Sequence, residues 1–95
     1  MISGFKDDDT ANVFHGQPIR KAQMTRGEQR IARRKLMMLD AAESLQDLRV
    51  PPGNRLEKLE GDREGQWSIR INSRWRLCFV WREHDAHEVQ IVDYD

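Results

Sequence analysis

A single cysteine among 95 residues has no internal disulfide partner, so nothing covalent staples the fold. Cys78 sits inside a strand-like run and reads as a small packed residue rather than a nucleophile. No apolar run approaches the roughly 20 residues needed to cross a bilayer. Met1 to Phe5 is too short for a signal peptide, so the expected location is the cytosol, with no membrane partner. Net charge is also missing: 16 Lys and Arg balance 16 Asp and Glu, and the total names no partner. There is no internal repeat and no low-complexity segment.

What the chain does have is unevenly distributed. Charged residues make up 34% and the hydrophobic set only 38%, which predicts a small core under a heavily charged shell. One domain spans residues 1–95, and a chain of this size buries roughly 60–70% of the surface its unfolded state exposes. From Arg49 to Arg82 there are eight basic residues against four acidic ones, whereas Glu83 to Asp95 carries five acids and no Lys or Arg. The basic segment contains the clearest periodicity. Gln66 to Ile71 and Trp75 to Trp81 alternate with a period of two and are separated by Asn72-Ser73-Arg74, the pattern of a β-hairpin. Trp67, Ile69, Ile71, Trp75, Leu77, Phe79 and Trp81 share one face. Ser68, Arg70, Arg76 and Cys78 share the other, so Arg70 and Arg76 stand on neighbouring strands. Two guanidiniums on a rigid sheet suit a phosphate.

The remaining elements follow in order. Met1 to Phe5 is expected as a short first strand, and Ala11 to His15 as a short helix capped from Asp7-Asp8-Asp9-Thr10. Residues Gln17 to Arg26 show no periodicity and are expected as a mobile loop. A long helix is predicted from Gly27 to Asp47. Ile31, Met38, Leu39, Ala42 and Leu45 lie on its core face, and Arg26, Arg30, Arg33, Arg34 and Glu43 on a solvent-exposed one. Pro51-Pro52-Gly53-Asn54 stops it. Arg55 to Glu60 reads as a connector, Gly61 to Gly65 as a turn, and Glu88 to Val92 as a last strand. Helices followed by antiparallel strands make an α+β domain, two N-terminal helices packed on a small sheet.

Three features compete for chemistry. If the last strand pairs beside the hairpin, Tyr94 and Asp95 emerge near Arg70 and Arg76. A phosphodiester needs cations for its developing charge together with a proton acceptor and donor, and Tyr94 can stack on a base or move a proton. His84-x-x-His87 has no further Cys or His nearby to complete a metal site and reads as a pair of turn histidines, while His15 has no evident partner. The three tryptophans share the face that the helices cover and belong to the core, not to a base-stacking platform.

PPGNRLEKLEGDREGQWSIRINSRWRLCFVW followed by VQIVDYD resembles the HigB toxins of bacterial toxin–antitoxin modules, within the RelE-type ribonuclease superfamily. The likeness is strongest from Leu48 to Tyr94. It implies a RelE-like domain and an endoribonuclease that enters the ribosomal decoding site and cuts mRNA during translation, by a metal-free reaction without a cofactor. It further implies a HigA-type helix-turn-helix antitoxin as partner, with operator DNA reached only through that antitoxin. Carried over, Arg70 and Arg76 would stabilise the scissile phosphate, Tyr94 would position the nucleotide, and Asp93 would orient its neighbours. Arg55, Lys58, Arg63 and Arg74 would grip RNA backbones. The sequence departs from the family pattern at two places. The family usually ends Asp-Tyr-His, and here Asp95 replaces a histidine expected in proton transfer, which implies a weakened toxin. Some relatives carry a histidine or lysine just before the position of Gly61, where this chain has Glu57 and Glu60, with Lys58 close by. Two rival readings are an impaired relative that mainly binds antitoxin and controls its operon, and a gyrase-directed ParE-like branch, which the arginine pair and Tyr94 oppose.

Overall fold

Alternation in the hairpin is what the molecule is built on. In a computed structural model that describes residues 1–19 and 24–94, four antiparallel strands run in the order β1-β2-β3-β4. They are β1 (Glu57–Lys58), β2 (Trp67–Arg70), β3 (Trp75–Arg82) and β4 (Asp85–Asp93). The β2–β3 turn is closed by the Asn72 side chain, whose Oδ1 accepts from the backbone N–H groups of Arg74 (2.9 Å) and Trp75 (2.8 Å). Ile69, Leu77 and Phe79 are fully buried on one face, and Trp75 almost so. Trp67 and Trp81 are half-buried against that same core, in line with their reading as packing residues.

Two helices cover this face, α1 (Asp8–Phe14) and α2 (Arg26–Ala41). The first starts earlier than expected because Asp7 is its cap, accepting from the Thr10 N–H at 2.7 Å. Thr10 is buried, and its hydroxyl accepts from the Ile91 N–H at 3.0 Å, which ties α1 to β4. The second helix begins inside the segment expected as a loop. Thr25 and Glu28 form a reciprocal capping box that sets its start. Residues 20–23 of that expected loop lie outside the described residues. On either side of them, Gln29 accepts from the Ile19 N–H and donates to the Met24 carbonyl.

The predicted continuation of α2 to Asp47 is not observed. The helix ends at Ala41, and Leu45–Arg49 forms a separate 3₁₀ turn. The cause is the Asp47 carboxylate, which accepts from the N–H groups of Glu43 (2.9 Å) and Ser44 (3.2 Å) and restarts the chain in a new direction. The buried stripe of α2 is Ala32, Leu36 and Leu39, while Ile31, expected inside, flanks the stripe and is exposed. Ala42 is buried, and Met38 and Leu45 are partly so.

Two strand assignments also change. Met1 to Phe5 is not a strand but makes two parallel bridges to β4, Ile2 to Ala86 and Phe5 to Val89. The expected connector from Arg55 to Glu60 contains β1, an edge strand that pairs Glu57 with Ser68 and Lys58 with Trp67. Its two residues are both charged and exposed, so no hydrophobic alternation marks it. The last strand is longer than expected, and a bulge opposite Phe79 with Glu88 at φ +51° interrupts its register.

Candidate functional site

The sheet face turned away from the helices holds the polar half of the same strands. Arg70 and Arg76 are direct cross-strand partners, and in the next row Glu57, Ser68, Cys78 and Gln90 line up across all four strands. Burial continues on this face: Ser68 and Cys78 are fully covered, and Arg76 retains only 9% of its exposure. The Arg76 Nε donates to the Ser68 hydroxyl at 3.0 Å, and one Nη donates to the Arg55 carbonyl at 2.8 Å. The same Nη lies 3.6 Å from the Glu57 carboxylate. Arg70, by contrast, has no hydrogen-bond or ion-pair partner among the described residues.

Tyr94 follows β4, anchored by its N–H to the Arg74 carbonyl at 2.8 Å. Its ring centre is 5.5 Å from the Arg76 guanidinium, and its hydroxyl is 3.9 Å from the Cys78 sulfur. Partial burial raises the phenol pKa above its ordinary value of 10.0, with Cys78 adding to the rise and Arg76 and Ser68 opposing it. Tyr94 is therefore a neutral O–H group at physiological pH. Burial likewise raises the Cys78 thiol, which stays protonated and packed.

Other expected site residues are placed differently. Arg74 and Asp93 form a bidentate pair, with Nη2 to Oδ2 at 2.8 Å and Nε to both carboxylate oxygens at 3.1 Å. Asp93 thus holds the turn arginine beside Tyr94. Arg63 reaches over the row to the amide oxygens of Gln66 (3.2 Å) and Gln90 (3.3 Å). Arg55 takes a left-handed conformation (φ +46°) with its side chain exposed, and its carbonyl is what touches the site. Lys58 alternates away from Glu57 and stands on the opposite side of β1. Asp95 lies outside the described residues. His84 is exposed in the β3–β4 turn, and among the described residues no cluster of three or more His, Cys, Asp or Glu could hold a metal ion.

Two contributors are not evident from strand periodicity alone. Ser68 shares the arginine face by alternation, but its hydrogen bond to Arg76 depends on register. Glu57 belongs to an edge strand that the pattern does not reveal, so only the fold brings its carboxylate to Arg76. The basic stripe of α2 lies on the helical side of the sheet. There Arg26, Arg30 and Arg33 line a cleft of about 430 Å³ with Val13 and Pro18.

Comparisons with known proteins bear on the family and on the fold. A family model described as a RelE-like toxin of the type II toxin–antitoxin system HigB matches residues 3–95. The chain belongs to this family. It is 58% identical over 48 residues to Toxin HigB-1 of Vibrio cholerae, an alignment covering 50% of each chain. It is 42% identical over 40 residues to Endoribonuclease HigB of Proteus vulgaris, covering 42% of this chain and 44% of that one. The chain spans about half the length of the curated relatives it matches. Among solved structures it resembles the YoeB–YefM toxin–antitoxin complex of Staphylococcus aureus, with a TM-score of 0.60, 15% identity and coverage of 100% of this chain and 98% of that one. At that identity the likeness concerns the fold, which is RelE-like as expected.

Proposed function

We propose that this HigB-family toxin is an endoribonuclease that cuts mRNA in the decoding site of the translating ribosome. The observation that carries the reading is the cross-strand pairing of Arg70 with Arg76, the latter fixed by Ser68 and the Arg55 carbonyl against the Tyr94 ring. In the reaction, the ribose 2′-hydroxyl attacks the adjacent phosphorus and the bond to the 5′-oxygen breaks, leaving a 2′,3′-cyclic phosphate. The Glu57 carboxylate receives the hydroxyl proton, and the departing 5′-oxygen takes a proton from water. Arg70 and Arg76 neutralise the charge that grows on the non-bridging oxygens. Tyr94 stacks on or orients a nucleotide. Arg63 and Arg55, with Lys58 at the β1 edge, meet the RNA backbones, a contribution that weakens with salt. Arg74 does so through its exposed edge while Asp93 keeps it in place.

The partner that neutralises the toxin is a HigA-type helix-turn-helix antitoxin, and together they repress their operon. The place of action is where the ribosomes are, the cytoplasm. A second reading rests on Asp95: with an acid where the family pattern has histidine, the chain is a weakened nuclease that acts chiefly by binding antitoxin. Induced expression separates the readings. A halt in protein synthesis before any other effect supports the nuclease, an early DNA-damage response supports a gyrase poison, and no growth effect supports the binding module. Asp95→His raises mRNA cleavage if the acid at that position is what limits the reaction; equal cleavage by both forms removes that idea.

A further inference from the structure

Asn54 is fully buried although it is polar, and all of its side-chain hydrogen-bonding groups are engaged. Its Nδ2 donates to the carbonyls of Leu48 (3.1 Å) and Val50 (3.4 Å), and its Oδ1 accepts from the Lys35 ammonium at 2.6 Å. Its own N–H donates to the Pro51 carbonyl at 3.0 Å. A side chain used only to fill space would be apolar at this position, because burying an amide costs free energy unless every group finds a partner. What the amide does is clamp the turn from Val50 to Arg55 against α2. The residue that leaves this turn, Arg55, is held at φ +46° and ψ +60°, a left-handed conformation that disfavours a residue with a side chain. That backbone conformation aims the Arg55 carbonyl at Arg76.

We propose that Asn54, held by Lys35, is a positioning residue for Arg76, acting through the Arg55 carbonyl; the catalytic meaning of this rests on the ribonuclease reading above. Ser68 fixes only the Nε of the guanidinium. A second bond, to an Nη, fixes its plane, sets it against the Tyr94 ring and leaves the other Nη to donate to a phosphate. Lys35 belongs to the clamp, not to a surface ion pair: among the described residues no carboxylate pairs with it. Burial, with help from Arg34, holds its pKa below the usual lysine range. The turn also leads directly into β1, so the clamp places Glu57 on the same site. Asn54 touches no substrate; it sets where two groups that do so stand.

The test uses a property of the whole chain that does not depend on cleavage. Tyr94 is the sole tyrosine, so the absorbance change of an alkaline titration reports this phenol alone. The Arg76 charge beside the ring favours phenolate, and moving it away raises the titration midpoint. Arg76→Met is expected to raise the midpoint. Asn54→Ala is expected to raise it in the same direction, and Asn54→Ala added to Arg76→Met produces no further rise. Cleavage by Asn54→Ala falls roughly 10–100-fold, the loss expected from a misplaced catalytic group. An unchanged midpoint in folded Asn54→Ala, or a rise that persists in the Arg76→Met background, overturns the proposal. If Asn54→Ala does not fold, Lys35→Met decides by the same criterion: it leaves the turn sequence intact and must raise the midpoint. A wild-type chain that cuts no RNA defeats the ribonuclease reading, while the titration still decides whether Asn54 positions Arg76.

Discussion

The two faces of the β2–β3 hairpin come from the same dozen residues, yet they are built on different rules. On the helical face Ile69, Leu77 and Phe79 are buried because they are apolar and the helices cover them. On the other face Ser68, Cys78 and Arg76 are nearly as buried, although α1 and α2 pack on the opposite side of the sheet. They are covered by Arg63, Glu57 and Tyr94, and held by hydrogen bonds. One face tolerates changes that keep volume, whereas the other tolerates only changes that keep partners. A strand can therefore carry a core and a hydrogen-bonded polar face at once, provided its register never slips by one residue.

Substitutions that separate the two faces test this contrast. The largest effect is expected from Phe79→Ala, which opens a cavity on the helical face and costs about 3–5 kcal/mol. Against a total of roughly 5–15 kcal/mol, that leaves little or no folded protein at moderate denaturant, measured by equilibrium urea unfolding. Next comes Glu57→Gln, which removes the proposed proton acceptor without removing shape. Cleavage is expected to drop roughly 100-fold or more, with urea stability unchanged within about 0.5 kcal/mol; a Glu57→Gln protein that cuts at full rate assigns the base elsewhere. Smaller again is the Arg74–Asp93 pair, partly exposed at 34% and 29%. A double-mutant cycle on it should give about 0.2–1 kcal/mol, the range of surface ion pairs.

The smallest effect concerns acid stability at the start of α2. A backbone hydrogen bond from Thr25, then the Asn72 amide, lowers the Glu28 pKa. Its folded value lies below its unfolded one, so its contribution is present above the unfolded pKa of about 4.3 and is lost as pH falls through the folded value. Glu28→Gln should flatten the acid side of the stability profile and leave neutral pH cleavage intact; an unaltered acid limb argues against the capping box as its source.

The hairpin was legible because alternation over two runs around Asn72-Ser73-Arg74 admits one facing of the side chains. The tryptophans and the arginine pair followed from it, and the α+β class from helices preceding the strands. What was not legible depended on side-chain hydrogen bonds that carry no periodicity. Asp47 takes the amides of Glu43 and Ser44 and breaks a helix that the apolar spacing would continue. Two charged residues, Glu57 and Lys58, form a strand only because β2 offers an edge. Asn54 stood out as part of a helix-stopping Pro-Pro-Gly-Asn, and its link to Arg76 runs through a backbone carbonyl that no pattern records. The family resemblance supplied the roles of the arginines, but the carboxylate beside them became visible only in three dimensions.

The most direct measurement is the chemistry of RNA ends produced on translating ribosomes by the wild-type chain and by Arg70→Ala. Arg70 has no partner to lose among the described residues, so its removal should leave the fold intact. The expected result is discrete cuts ending in 2′,3′-cyclic phosphate with the wild type, reduced roughly 100–1000-fold with Arg70→Ala. Cuts of equal rate and position from both proteins would contradict the arginine-pair mechanism.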